Sequence, residues 1–350
     1  MKLVVAGGAI LNVDEIFNAI TELAGGSGCK IGIIPLASDS PYESWNNHRI
    51  LFEKSGAKPV LVDITSENYN VNAFSSEIFD LILSLDGVFF TGGSQEKVVK
   101  GLIVNGNETP ALKAIRMLFS SGKVISGSSA GAAVMSNPMI YGGMDMDVVV
   151  GRGLGFLRDG EVIVDQHFIQ RGRFPRLFEA LWKTDVKIGI GIDEGTALKV
   201  IDDICEVIGK SVTVLIEMKC RDSFKLSYLS RGDRINLNNL EVHVNESKKL
   251  LGKPRSMSKG KICLFDILNP QGFQNAINGL YRSEEGVVEA LVIRVLEDRG
   301  DEKVGYAYRF TFERGSNTAF YSEIGNERVV TAKDINLLVE RKPMKLLLGL

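Results

Sequence analysis

Short apolar segments alternate with amphipathic ones along the first part of this chain, and this alternation constrains the fold most strongly. Apolar segments of strand length occur at residues 3–6, 30–34, 59–62, 81–90, 123–126, 162–164 and 187–192. Stretches with helical periodicity lie between them, at residues 14–23, 45–55, 109–119 and 176–182. The pattern predicts an α/β fold with a doubly wound, mostly parallel sheet that helices cover on both faces. A ligand site is then expected beyond the carboxyl ends of the strands.

The pattern changes after residue 200, where apolar and polar residues alternate as they do in half-buried strands. Residues 246–260 are polar, basic and without periodicity, which is typical of a linker. We therefore expect a main α/β domain at residues 1–245 and a small α+β C-terminal domain at residues 261–350.

Two alternating segments in that C-terminal part, residues 289–297 and 305–313, flank the turn-like residues 298–302. This arrangement predicts a β-hairpin. A helix is expected before it, near residues 271–280. None of these segments contains a recognisable catalytic motif.

The charge balance argues against polyanionic partners. The chain has 41 basic and 43 acidic residues and a net charge of −2, so we expect no nucleic-acid or membrane partner. Its four cysteines, Cys29, Cys205, Cys220 and Cys263, are scattered and form no metal-binding spacing. The sequence thus predicts reduced thiols, a cytoplasmic location and no bound metal.

Residues 127–131 read Gly-Ser-Ser-Ala-Gly, a Gly-x-Ser-x-Gly motif between an apolar segment and a run of small residues. A sharp strand-to-helix turn between glycines exposes the serine Oγ, and the N–H groups that follow can face an oxyanion. The motif alone is weak, because small residues also permit close helix–strand packing. Ser129 is therefore a candidate nucleophile, with close packing as the alternative.

A serine nucleophile needs a general base, usually a histidine that a carboxylate orients. Of the three histidines, His48 lies in a helical pattern and His243 in an alternating strand, whereas His167 lies just past the end of the strand predicted at 162–164. His167 is therefore the candidate base. Asp193 and Glu194 both follow the segment 187–192, and their positions do not decide which carboxylate faces the histidine.

Several separate segments together resemble the cyanophycinase family, serine exopeptidases that are similar to peptidase E. The segments are residues 34–38, 90–95, 127–136, 165–168 with Arg171, Arg173 and Arg176, and 191–194. The resemblance covers roughly the first 245 residues. The C-terminal part lies outside it.

The resemblance implies a flavodoxin-like fold related to the class I glutamine amidotransferase domain. It also implies a catalytic triad of Ser129, His167 and Glu194, and no cofactor. An oxyanion hole would combine the amide of Ala130 with that of Gly92 or Gly93, since glycine permits close approach of the backbone to a substrate carbonyl.

The family hydrolyses cyanophycin, a polyaspartate with an arginine on each β-carboxyl, to β-Asp-Arg dipeptides. The resemblance implies that residues around the base bind this substrate, namely Gln95, Asp165, Gln166, Arg171, Arg173 and Arg176. Guanidinium groups bind carboxylates bidentately, which suits the arginines to such a substrate. Ser94 stands where the family usually has an aspartate, so the resemblance assigns no group to the arginine side chain of the substrate.

Two other functions fit the same residues. One is an exopeptidase or dipeptidase for short aspartyl peptides, and the other is a non-catalytic binding or assembly protein that retains the pocket. The family resemblance further implies a homodimer. Peptide or polymer substrates are thus the expected partners.

Overall fold

The computed structural model describes residues 1–298 and 302–347. Within them, two large sheets pack with their helices into one α/β assembly. The strands of the first sheet are β1 Lys2–Ala6, β2 Lys30–Ile34, β3 Lys58–Leu61, β4 Gly87–Phe90, β7 Val124–Ser128, β12 Thr196–Ile201, β13 Ile204–Gly209, β16 Arg234–Asn236 and β17 Val242–His243. Two short pairs stand apart, β5 Ile103–Val104 with β6 Asn107–Glu108 and β8 Met139–Gly142 with β9 Val149–Gly151.

The first sheet has the strand order β17-β16-β13-β12-β1-β7-β4-β2-β3. The strands from β1 to β3 in this order are parallel, whereas β12, β13, β16 and β17 add on antiparallel. Strand β1 therefore lies at the junction, with parallel β7 on one side and antiparallel β12 on the other.

The helices are α1 Asp14–Leu23, α2 Pro41–Lys54, α3 Tyr69–Asn72, α4 Ser76–Leu83, α5 Gln95–Leu102, α6 Pro110–Ser120, α7 Ala130–Ala133, α8 Phe174–Thr184 and α9 Pro270–Arg282, with a 3₁₀ turn at Asp145–Asp147. Helices cover both faces of the first sheet, as alternate residues of β1 show. Leu3 and Val5 join one buried core, whereas Val4 and Ala6 join another. No helix in the described part of the chain is long and apolar enough to cross a membrane.

The second sheet combines strands from the middle and the end of the chain. Its strands are β10 Val162–Gln166, β11 Ile188–Ile192, β14 Val212–Cys220, β15 Ser223–Ser230, β18 Lys249–Leu250, β19 Ile262–Leu264, β20 Val287–Asp298, β21 Glu302–Ser322 and β22 Thr331–Leu347. They follow the order β10-β11-β14-β15-β22-β21-β20-β19, and β18 pairs with β21. An aromatic core beneath this sheet joins Phe174 and Phe178 of α8 to Phe273 of α9 and Phe310 of β21.

The predicted fold class is confirmed, with two differences in strand assignment. Of the segment 81–90, residues 81–83 belong to helix α4 and only Gly87–Phe90 form strand β4. The segments 162–164 and 187–192 are strands, and they run parallel to each other as β10 and β11, but they belong to the second sheet. The pattern fits a buried parallel strand in either sheet, because both faces of β10 and β11 are covered. The hydrogen bonds between β11 and β14 place β10 and β11 in the second sheet, since they join this pair to the C-terminal strands.

The predicted C-terminal hairpin is confirmed as the antiparallel pair β20 and β21, and the predicted helix as α9. Of the predicted turn 298–302, residues 299–301 lie outside the described residues. The division into domains at 1–245 and 261–350 stays a prediction. Strand β22 of the C-terminal part pairs directly with β15 of the main part.

A buried ion pair fixes the start of the predicted linker to both parts. The Nζ of Lys248 lies 2.7 Å from Oδ1 of Asp233, whose side chain is completely buried. Asp233 also accepts hydrogen bonds from the Asn245 N–H at 3.0 Å and from the Thr331 hydroxyl at 2.6 Å. Because Thr331 begins β22, this carboxylate ties the segment around Lys248 to the C-terminal strands.

We expect Asp233→Asn to lower the free energy of unfolding by about 3 kcal/mol, because it leaves a buried ammonium without its counter-ion. Urea unfolding followed by circular dichroism measures the change. The matched control is Asp202→Asn, since Asp202 is 81% exposed and pairs with the N-terminal ammonium at 2.9 Å. That surface pair contributes at most about 1 kcal/mol. Equal effects of the two substitutions would contradict the structural importance of Asp233.

Candidate active site

Ser129 occupies a sharp turn between strand β7 and helix α7. Its φ of 55° and ψ of −112° are rare for a residue with a side chain, and α7 begins at the next residue. A Cβ on Gly127 would lie 2.4 Å from the Gly131 carbonyl oxygen, and one on Gly131 would lie 2.3 Å from the Phe90 carbonyl oxygen. Both glycines of the motif are therefore required by close backbone packing, and that packing holds the serine in its strained conformation.

The structure brings Ser129, His167 and Glu194 together in hydrogen-bonding geometry. The Nε2 of His167 lies 2.9 Å from the Oγ of Ser129, and Nδ1 lies 2.6 Å from Oε1 of Glu194. With its proton on Nδ1, the imidazole donates to Glu194 and accepts from the serine hydroxyl. This is the arrangement in which a histidine can take a proton from a serine.

The environment of His167 keeps its imidazole neutral near pH 7. Burial lowers the pKa of His167 below its usual value of 6.5, the hydrogen bond to Glu194 opposes that shift, and the charge of Arg171 adds to the lowering. A neutral imidazole is the form that a general base requires.

Asp193 faces away from the imidazole and holds the adjacent loop instead. Its carboxylate accepts hydrogen bonds from the Ile169 N–H at 3.0 Å, from Gln170 at 3.1 Å and from the Ser211 hydroxyl at 2.8 Å. Burial raises the pKa of Asp193 to about 6. The two carboxylates that sequence position could not separate thus have different contacts, and Glu194 is the one beside the histidine.

Three consecutive carbonyl groups at the end of strand β1 hold the backbone at or beside all three catalytic candidates. The oxygens of Ala6, Gly7 and Gly8 accept, in this order, from the N–H groups of Ser129 at 2.9 Å, His167 at 2.8 Å and Gly195 at 2.8 Å. Gly195 directly follows Glu194. One short peptide segment therefore sets the relative positions of the turns that carry the serine, the imidazole and the carboxylate.

The predicted oxyanion groups lie beside the serine. Ala130 is the first residue of α7, so its N–H has no partner within the helix. A Cβ on Gly92 would lie 3.3 Å from Cβ of Ser129, whereas one on Gly93 would lie 2.0 Å from the Ala37 carbonyl oxygen. Gly92 thus borders the serine, and Gly93 packs against the loop after β2.

Two of the three predicted substrate-binding arginines are buried and bind protein groups. Arg176 donates to both carboxylate oxygens of Asp165 and, at 3.0 Å, to the Gly143 carbonyl. Arg173 donates to Asp165 at 3.4 Å and to the Gln166 carbonyl. Burial lowers the pKa of Arg173 to about 10. These contacts position the end of strand β10, directly before His167.

The other predicted binding residues differ in accessibility. Arg171 is exposed, whereas Gln95 and Gln166 are buried. Gln95 donates to the carbonyls of Ile140 and Tyr141 at 2.9 and 2.6 Å, and Gln166 Oε1 lies 3.4 Å from the Ser129 hydroxyl. Arg171 is therefore the predicted cation that a ligand can reach most easily. A binding role for any of these residues stays a prediction.

A cavity of about 350 Å³ opens at Ser129 and His167. Its wall includes the loop after β1, with Ala9, Ile10 and Leu11, and Gly92 after β4. The remaining wall comes from the start of helix α2 and the loop before it, through Ser38, Ser40, Glu43, Ser44, Asn47 and His48. A larger cavity of about 840 Å³ lies elsewhere, around Lys210, Arg328 and Lys248.

Helix α2 lines the cavity, although its sequence was not predicted to belong to the site. His48 is 9% exposed, its Nδ1 donates to the Ser44 carbonyl at 2.7 Å, and its ring lies 5.0 Å from that of Phe89. Burial lowers the pKa of His48. The spacing of Glu43 to Asn47 and of Ser44 to His48 places each pair on one helix face, and this spacing is the signal that could have identified the wall.

Metal ligation has no support in the described residues. No group of three or more His, Cys, Asp or Glu side chains among residues 1–298 and 302–347 could hold a metal ion.

We expect Gly8→Ala to slow the reaction of Ser129 with a fluorophosphonate probe by about 100-fold or more, the loss typical of a displaced general base. The new Cβ would lie 2.3 Å from Nε2 of His167, so the ring must move away from the serine. Mass spectrometry of labelled Ser129 measures the rate. Gly25→Ala is the matched control, because Gly25 has a similar φ of 117° but nothing within 4 Å. Wild-type labelling of Gly8→Ala would contradict the packing of Gly8 against the imidazole.

A family model and several similar proteins indicate the family of this chain. The model of peptidase family S51 matches residues 3–208. Cyanophycinases from Geminocystis herdmanii and Trichormus variabilis are 34% and 33% identical to this chain, each over 69% of it, and the matches cover 90% and 82% of these relatives. A crystal structure of a peptidase from an acI-B1 Actinobacterium has a TM-score of 0.53 at 22% identity, over 67% of this chain and 96% of that one. The similarity to this crystal structure shows a shared fold and nothing about function.

The family match spans more than half of the chain and contains Ser129, His167 and Glu194. The cyanophycinase relatives are similar over most of their own length. This protein therefore belongs to peptidase family S51 and is a serine peptidase.

Proposed function

We propose that this protein is an exopeptidase that hydrolyses cyanophycin to β-Asp-Arg dipeptides. Ser129 is the nucleophile, His167 the general base and Glu194 the carboxylate that orients the imidazole. The observation that carries the proposal is the hydrogen-bonded chain of these residues, 2.9 Å from serine to imidazole and 2.6 Å from imidazole to carboxylate.

The reaction follows from these contacts. As the Oγ of Ser129 attacks the peptide carbonyl, Nε2 of His167 takes the hydroxyl proton, and Glu194 stabilises the imidazolium. The imidazolium then protonates the leaving amine, and the peptide bond breaks to leave an acyl-enzyme. A water molecule that transfers its proton to His167 hydrolyses the ester and restores the serine.

Backbone amides stabilise the charge that forms on the substrate carbonyl oxygen. Ala130 supplies one N–H, and the turn of Gly92 and Gly93 supplies the other. Such groups cost little reorganisation, because helix α7 and the packed glycines fix them before the substrate binds.

The choice of cyanophycin is supported by the relatives and by the charges near the base. The cyanophycinases are about one third identical to this chain over most of their length. Arg171 is exposed, forms no ion pair with any described residue and lies close enough to His167 to lower its pKa. Its guanidinium is thus available to a substrate carboxylate. The homodimer and the cytoplasmic location expected from the sequence stay predictions.

The pH dependence of hydrolysis should reflect His167. Since the neutral imidazole is active and burial lowers its pKa, kcat/KM should rise with pH and reach half its plateau below pH 6.5. Measurement of initial rates across that range tests this expectation. Asp193→Asn serves as a control, because the pKa of Asp193 is about 6 and the variant removes this second titration. A midpoint above 6.5 in both proteins would contradict a buried base.

The first test is incubation of the wild type and of Ser129→Ala with insoluble cyanophycin. Mass spectrometry should detect β-Asp-Arg only with the wild type, because the alanine variant lacks the attacking oxygen. Thermal unfolding of the variant checks that its fold is intact. Release by both proteins would refute Ser129 as the nucleophile. Cleavage of short aspartyl peptides without release from cyanophycin would refute the polymer as substrate.

A further inference from the structure

Among the described residues, a single carboxylate lines the cavity beside Ser129. In the described wall, Glu43 is the one ionisable side chain apart from His48 and His167, and no lysine or arginine contributes. Burial lowers the pKa of both histidines, so they add little positive charge at neutral pH. The wall of the cavity therefore carries a net negative charge.

The Glu43 carboxylate has no partner in the described part of the protein. It is exposed in the first turn of helix α2, and its side chain forms no hydrogen bond or ion pair with residues 1–298 or 302–347. Glu53 on the same helix differs, because it pairs with Arg49 at 2.6 Å. A cationic ligand could therefore bind Glu43 without displacing an existing partner.

Further hydrogen-bond acceptors line the same cavity as this carboxylate. Asn47 lies one helical turn after Glu43, and Ser40 precedes the helix without capping it through its side chain. A guanidinium has five N–H donors in one plane, two of which fit a carboxylate while the others reach neighbouring oxygens. An ammonium group would use fewer of these acceptors.

We propose that Glu43 is a specificity-determining residue that binds the guanidinium of an arginine side chain in the substrate. The inference rests on the proposed function, since it assigns a substrate group to the same site. Glu43 supplies the anion and Arg171 the cation for a zwitterionic substrate. The cavity at Ser129 thus selects a basic side chain.

A pair of synthetic substrates tests this role. Both are short aspartate oligomers, one with arginine and the other with citrulline on each β-carboxyl; citrulline has nearly the same shape but no charge. For the wild type we expect kcat/KM to be roughly 10- to 100-fold higher with arginine, the range for a charged hydrogen-bonded pair. In Glu43→Gln this ratio should fall toward one, and Glu43→Asp should restore part of it.

Glu67→Gln is the matched control, because Glu67 is also exposed but lies outside the described wall of the cavity. It should retain the wild-type ratio. Hydrolysis by the wild type with an unchanged ratio in Glu43→Gln would overturn the role of Glu43 and leave the proposed function intact. Failure of the wild type to cleave either oligomer would overturn the proposed function together with this inference. Thermal unfolding of each variant excludes misfolding as the cause.

Discussion

The candidate active site depends on the peptide carbonyls of Ala6, Gly7 and Gly8. They bind the backbone at Ser129, at His167 and beside Glu194, so three distant parts of the sequence take their positions from one segment. This is possible because β1 lies between β7 and β12, where the parallel and antiparallel halves of the first sheet meet. The imidazole comes from the second sheet, and the hydrogen bond from His167 N–H to Gly7 therefore also joins the two sheets at the site.

The fold class and the candidates Ser129 and His167 could be predicted from the sequence because they follow from strand ends, whereas only the family resemblance favoured Glu194 over Asp193. Ser129 and His167 directly follow strands β7 and β10, and Glu194 follows β11 by two residues. In α/β folds such strand ends carry the ligand site. The separation into two sheets could not be predicted in this way. A buried parallel strand has the same apolar pattern in either sheet, and the pairing of β11 with β14 is a long-range contact without a local signal.

Burial and hydrogen bonding distinguish residues that their positions in the sequence make look equivalent. Asp193 and Glu194 are adjacent, yet Asp193 turns toward three donors in a buried loop while Glu194 reaches the imidazole. Likewise, the sequence groups Arg171, Arg173 and Arg176 as equivalent cations, but Arg176 is 3% exposed and bound to Asp165. Ser94 directly precedes helix α5, and its N–H donates to the Ala37 carbonyl at 2.9 Å. The carboxylate in the described wall of the cavity beside Ser129 comes instead from helix α2.

The C-terminal strand β22 completes the hydrogen bonding of strand β15. One side of β15 is paired with β14, and the other is paired with β22 over most of its length. Without β22, that second side would present a row of unpaired N–H and C=O groups and a largely apolar face, which are the features that recruit strands from other molecules. Strand β22 thus covers an edge, in the sheet that carries His167, that would otherwise be open to pairing with another chain.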